Sequence, residues 1–525
     1  MQNRYDACQT WPETAHQGPK GPYGVWNLQK LVTSFHNLMV CRLMLMVVRK
    51  VKCDEARPAC KRCTSTGRKC DGYRGDYPNS VVLPAGVGSV YALTPQARSL
   101  QFFTEKTLAG LQIFFPDHLW NTKILQVAQS TECIRNAVIA LASFHEQYLK
   151  LTSAQPPDSK FGLGHYNLAI RQSILSSNEA SSPPHIPILS CLIFVCIEVL
   201  QGKIESAIAL FKYGCKMIEH HQPDICSVNQ LGNCYLNPQL RSDAIMTLQL
   251  AKALFKRIAV QIYMLTGDVD TQLVIVFKNT FGGTYPLHER PFRCLAEARE
   301  ALLDIVVEQA SPGLKGQDAQ QLMFHSVKIR QWCSLFDALV AKDYSGEKPI
   351  SEVERRAIAL LQAYRQYLEI NVAKYAYGQG DPCFWDRFTA EFDNMINNAA
   401  IATGFDSKGL EQTPKSFFHM DIGVSSILFS IIARCRDPVI RRKAIGIMLA
   451  DRSQEGVWNS QLAAQGARKL MELEESRSGK EVKSSQDIPE EARVRTVRLY
   501  LESGQRTAKM VYGFDKGSWE WMIPS

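Results

Sequence analysis

The sequence predicts a mainly α protein: a small cysteine-rich module, then a large all-α helical array ending in a short C-terminal β-hairpin. Three observations carry that prediction. Cys53, Cys60, Cys63 and Cys70 stand at six-, two- and six-residue intervals inside a basic segment. From Thr94 to about residue 480, apolar side chains recur at three- and four-residue steps, the period of helices with one face turned inward. Near the end, β-favouring residues lie on both sides of Glu502-Ser503-Gly504 over residues 493–512, as a hairpin requires.

Residues 1–48 form an atypical N-terminal segment. They carry no basic arm, and Leu38–Val48 (LMVCRLMLMVV) is an apolar run too short to span a bilayer and interrupted by Arg42. Residues 49–75 are the cysteine module. Nine Lys or Arg fall between Arg49 and Arg74 against three acidic residues. Thiolates at Cys-x2-Cys spacing reach one tetrahedral Zn²⁺ from a single tight turn, and flanking cysteines complete the shell. A thiolate cluster wrapped in cations suits a metal-folded module that grips a phosphate backbone.

Residues 76–93, with Pro78, Pro84, Gly86 and Gly88 and few charges, read as a linker. The helical domain is expected over residues 94–525. Thr94-Pro95 offers an N-cap followed by proline in the first turn. Residues 135–150 are an amphipathic helix, and Ile204, Ile208, Phe211, Cys215 and Ile218 share one helical face. Asp437-Pro438 opens a further helix, whose Arg441, Arg442 and Lys443 are expected on its wet side. Polar or Gly/Pro breaks near 154–159, 222–239, 281–287, 311–317 and 376–382 separate the helices, without a strict repeat period.

The chain of 525 residues carries a formal charge of +9, most of it in residues 49–74. Concentrated basicity is the mark of a nucleic-acid footprint. Most of the sixteen cysteines lie singly in apolar helical text, among them Cys133, Cys191, Cys196, Cys215 and Cys333, as buried thiols of a reducing compartment do. Enzyme motifs do not assemble. His145-Glu146 is followed by Leu149 where a zinc protease needs histidine, and Gly86-Val87-Gly88 follows no strand. His220-His221, near Cys215 and Cys226, reads as a helix end before a Gln-Pro-Asp turn.

Residues 49–75 resemble the second two-thirds of the fungal Zn(2)-C6 binuclear zinc cluster, whose pattern is Cys-x2-Cys-x6-Cys, a loop, then Cys-x2-Cys-x6-Cys. Cys53 matches the third family cysteine, Cys60, Cys63 and Cys70 the last three, Pro58 lies in the loop, and Cys70-Asp71-Gly72-Tyr73 is a common ending. The first pair would fall at positions 43 and 46, which hold Leu43 and Met46. The abrupt start at Arg49 is the pattern of a gene-model fault upstream. Its rival is a divergent chain with an incomplete finger. Phrases such as SLQFFTEKTLAGLQIFF (99–115), ILSCLIFVCIEVLQGKIESAIALFKYG (188–214) and QEGVWNSQLAAQGARKLMELEE (454–475) resemble the family's all-α regulatory domain.

The resemblance implies a nuclear, sequence-specific regulator of RNA polymerase II transcription, not an enzyme. Its partners would be double-stranded DNA, the transcription machinery or co-regulators, and a small-molecule effector, with no membrane. It implies Zn²⁺ on Cys53, Cys60, Cys63 and Cys70. Arg49 and Lys50 would face the major groove at a CGG-type half-site, with Lys52, Lys61 and Arg62 on phosphates. The alternative is a helical interaction or ligand-sensing relative that has lost a working finger.

Overall fold

The computed structural model describes residues 94–523 except 151–158, 178–182, 222–237, 267–275, 277–278, 282–289, 310–318, 346–348, 378–380, 406–415 and 502–507. These belong to one compact unit, Gly88–Ser525. Its first helix, α1 (Pro95–Phe102), begins as its sequence demands. The Thr94 hydroxyl accepts the Ala97 N–H at 3.2 Å, and Pro95 occupies a turn that needs no donor. A π turn at Phe103–Thr107 carries α1 on to Leu111.

The next helices are α2 (Ile124–Ser130), α3 (Glu132–Lys150), α4 (Ser159–Ser177), α5 (His185–Leu200) and α6 (Ile204–His220). α5 is the axis of this layer. Every residue from Ile188 to Val199 is buried and all but Ser190 and Glu198 are apolar or cysteine, as suits a helix enclosed by others; Glu198 accepts the Tyr166 hydroxyl at 2.8 Å. α3 and α6 cover two of its sides, and α4 packs on α3. On α6 the buried positions include Ile208, Phe211, Cys215 and Ile218, the face read from the sequence. Close approach here depends on Gly214: a Cβ there would stand 2.4 Å from the Phe255 ring. Each fully buried Ile, Leu or Phe of such a layer contributes roughly 1.5–3 kcal/mol.

The second half of the unit holds α7 (Pro238–Thr266), α8 (Leu295–Gln309), α9 (Ala319–Asp343), α10 (Glu352–Tyr377) and α11 (Thr389–Thr403). Strand β1 (Phe417–His419) leads to α12 (Ser425–Arg434) and α13 (Pro438–Asp451), then to β2 (Ser453–Glu455), β3 (Trp458–Asn459) and α14 (Ser460–Arg477). Asp437 caps α13, accepting the Val439 and Ile440 N–H groups at 2.9 and 3.0 Å.

β1 pairs parallel with β2 (Phe417↔Ser453, His419↔Glu455), and β2 pairs antiparallel with β3 (Glu455↔Trp458). The turn uses Gly456 at φ +50, a conformation that favours glycine. Gln261 of α7 plugs into this small sheet. Its amide nitrogen donates to Asp421 O at 2.5 Å, its oxygen accepts from Val457 N at 3.3 Å, and its carbonyl accepts the Trp458 indole N–H at 3.0 Å.

The expected terminal hairpin is present as β4 (Thr496–Leu501) against β5 (Ala508–Gly513), antiparallel. It gains a third strand, β6 (Ser518–Ile523), beside β5. Met510 and Tyr512 of β5 turn inward against Leu470 of α14 and Val494. The Tyr512 hydroxyl donates to Gly466 O at 2.9 Å.

Candidate functional site

The zinc and DNA residues expected from the sequence, Cys53, Cys60, Cys63, Cys70, Arg49, Lys50, Lys52, Lys61 and Arg62, all lie outside the described residues. Their chemistry therefore rests on donor type and spacing. Four thiolates suffice for one tetrahedral zinc, whereas a binuclear cluster shares six. With Leu43 and Met46 in the places of the first pair, the donor set fits one metal and not two.

In the described unit, no group of three or more His, Cys, Asp or Glu is placed to hold a metal. The cysteines of the helical text are free, and Cys133, Cys191, Cys196, Cys215 and Cys333 are buried as expected. Burial pushes the thiols of Cys191 and Cys333 up to about 12, so they are inert fillers. His145 is enclosed too. Its Nδ1 stands 3.0 Å from Thr107 Oγ1, its ring lies between Phe102 and Phe418, and burial lowers its pKa to about 4. It is a neutral core histidine. His220 ends α6 and His221 caps it, and the expected Gln222-Pro223-Asp224 turn lies outside the described residues.

The expectation of a wet Arg441-Arg442-Lys443 face is corrected. Arg442 and Lys443 are exposed and reach Glu475 and Asp393, but Arg441 is fully buried. Its guanidinium pairs with Glu474 of α14 and donates through Nε to the carbonyl of Cys435 at 2.5 Å. Arg436 joins the same carboxylate at 2.9 Å and donates to Val494 O at 3.0 Å. Position 441 lies one turn inside α13, on the side that packs against α12 and α14. A consecutive basic run cannot reveal which member faces that way.

Glu474 therefore serves two cations. Burial alone would raise its pKa, but Arg441 and Arg436 hold it below the usual carboxylate range. A second buried set joins α7, α8 and the segment after β1. Arg257 pairs with Asp117 and, at 2.8 Å, with Glu300, while Arg299 pairs with Asp421. Burial opposes the charge of Glu300, yet Arg257, Arg299 and Lys256 pull it down to about 2. These partners lie more than a hundred residues apart along the chain in the cases of Arg257–Asp117 and Arg299–Asp421. Sequence reading missed them, because no local period announces a contact of that range. A third group is Asp451, Ser453 and Glu455: Asp451 ends α13, Arg452 turns the chain in the left-handed region, and Ser453 and Glu455 share one face of β2.

Residues 47–79 match the sequence model of the Fungal Zn(2)-Cys(6) binuclear cluster domain. The match holds all four cysteines and begins just past positions 43 and 46. The chain is similar to the "Aspercryptin biosynthesis cluster-specific transcription regulator atnN" of Emericella nidulans. They are 23% identical over 593 aligned residues, covering 89% of this chain and 92% of that one. It is 27% identical to "Transcription regulator lscL" of Purpureocillium lilacinum over 30% of this chain and 43% of the other. Over 42 residues, 8% of each chain, it is 48% identical to "Transcriptional regulatory protein moc3" of Schizosaccharomyces pombe. No solved structure matches. The long alignment joins the helical unit and the cysteine module in a single relative, and zinc is the metal of the matched domain.

Proposed function

We propose that this chain, which belongs to the fungal zinc-cluster transcription regulators, reads CGG-type half-sites in the major groove and regulates RNA polymerase II transcription in the nucleus. The observation that carries the reading is the 6-2-6 cysteine spacing set in nine cations, inside the matched domain. Cys60, Cys63 and Cys70 hold zinc, with Cys53 the fourth thiolate. Arg49 and Lys50, four and three residues before Cys53, donate to guanine O6 and N7. Lys52, Lys61 and Arg62 neutralise phosphates and set the salt dependence. Residues 94–525 form the regulatory domain, which contacts the transcription machinery or co-regulators and takes a small-molecule effector.

One observation favours a second reading. Leu43 and Met46 stand where the first cysteine pair belongs, and that pair would help fix the helix carrying Arg49 and Lys50. A chain without it is a helical interaction or ligand-sensing relative with no working finger. Fluorescence anisotropy of the purified chain against CGG-containing and scrambled duplexes, across a salt series, separates the two. Preference for CGG with a steep loss of affinity in salt supports the regulator. Equal, weak binding to both duplexes supports the second reading.

A further inference from the structure

We propose that Asp451, Ser453 and Glu455 form a buried relay that holds one proton between two carboxyl groups. Keeping that proton grows costlier as pH rises, which loosens the small β1–β2–β3 sheet toward the alkaline side. The three side chains are 4%, 2% and 3% exposed. Ser453 Oγ touches Asp451 Oδ2 on one side and Glu455 Oε1, at 3.1 Å, on the other. A hydroxyl carries a single proton and can donate to only one of two acceptors. The second contact is a hydrogen bond only if that carboxyl is itself protonated and donates to Ser453 Oγ.

The helix ends decide where the proton sits. Glu455 Oε2 accepts the Ser425 N–H at 2.8 Å, at the first turn of α12, where partial positive charge favours an anion. Asp451 is the last residue of α13, where unsatisfied carbonyls disfavour one. Of the two sites, Asp451 is thus the better place for the proton. The order is Asp451 O–H to Ser453 Oγ, and Ser453 O–H to Glu455. Burial first, then the charge of Glu455, pushes Asp451 up to about 8.

Among the described residues, no cation settles both charges. From α10, Arg356 favours ionised Asp451 but is paired with Glu352 at 3.1 Å. Tyr364 of the same helix spends its hydroxyl on Gly423 O and Ser426 Oγ, both at 3.1 Å. Across the sheet, burial pulls His419 below its ordinary value against the opposing charges of Glu455 and Asp421, and its Nδ1 lies 3.2 Å from Asp421 O. Asp421 is taken by Arg299. From α3, Tyr148 donates to Arg452 O at 2.8 Å, and burial raises its pKa.

The sign follows. The folded value of Asp451 lies above the unfolded value of about 3.9, so the folded state holds the extra proton between the two. Stability from this group is complete below about 4, declines as pH rises, and is gone above about 8.

The test uses the full chain and its Asp451→Asn variant, whose amide donates to Ser453 as the protonated acid does. Hydrogen exchange at Ser453–Asn459, corrected for intrinsic rates, should open roughly a hundredfold more from pH 6 to pH 9, at tenfold per unit up to about 8. The variant should lose that excess. The infrared difference between the two chains should show a protonated-carboxyl C=O band at pH 6 that is gone at pH 9. Absence of the band at pH 6, or equal pH dependence in both chains, overturns the proposal. If Asp451→Asn does not fold, Glu455→Gln decides. Removing the neighbouring charge should lower the midpoint of the band, and an unmoved midpoint overturns the relay.

Discussion

Replacing Glu474 with Gln should cost the chain roughly 3–5 kcal/mol of folding stability, the usual toll for removing one partner of a buried ion pair. The magnitude follows from the surroundings. Glu474 and Arg441 are 0% exposed and Arg436 is 2% exposed, so water cannot rescue either cation. Among the described residues, Glu474 is the carboxylate both guanidiniums share, and it also accepts the Val494 N–H at 2.6 Å. Glutamine keeps the shape and one acceptor but leaves two buried cations facing each other. That cost is roughly a hundred- to several-thousandfold in the folding equilibrium. Urea unfolding followed by circular dichroism measures it.

Because the folded pKa of Glu474 is depressed, its contribution is present above the unfolded value of about 4.3. It is lost as pH falls through the folded value. The Glu474→Gln chain should therefore unfold less steeply in acid than the parent. Adding Arg441→Met should recover part of the loss, since one stranded cation is then gone. A cost below about 1 kcal/mol, together with an unchanged acid profile, would refute the account of Glu474 as a shared counter-ion.

Gly214→Ala puts a methyl 2.4 Å from the Phe255 ring and should cost about 1–3 kcal/mol of stability, measurable in the same unfolding assay. Cys63→Ser with Cys70→Ser should abolish the zinc seen by elemental analysis, and retained zinc would place the metal elsewhere. Installing Leu43→Cys with Met46→Cys should raise the zinc content per chain and sharpen preference for CGG duplexes. In that background, Lys50→Ala should cost about 1–3 kcal/mol and relax base preference. Lys61→Ala should weaken all duplexes alike and reduce the salt slope by about 1.

What was legible in the sequence was what short-range chemistry writes. Thr94-Pro95 and Asp437-Pro438 announced two helix starts because a cap and a proline are local devices. The β4–β5 hairpin was visible because both strands and the turn text adjoin. β6 was missed although Trp519, Trp521 and Ile523 alternate with more exposed neighbours, a pattern of only six residues at the chain end. β1, β2 and β3 are two or three residues long, too short to show a period. Arg441 was misplaced because its burial is decided by Glu474, thirty-three residues away on another helix. The cysteine module is the opposite case, since its proposed ligands sit within eighteen residues and the proposal rests on their spacing.

The buried charges of the last helices also bear on how the chain is made. Arg436 waits for a carboxylate 38 residues and a carbonyl 58 residues downstream, and Asp386 for a cation 107 residues downstream. During synthesis, the cysteine module and the α5 layer leave the ribosome long before these partners exist. A product cut short before Arg493 lacks both the cation that pairs with Asp386 and the Val494 carbonyl that Arg436 reaches, so these contacts of the C-terminal half cannot form in it. Such a fragment is a substrate for chaperones and proteases. A truncation within the C-terminal half would then lower the chain's abundance, and loss of activity in that chain would report turnover.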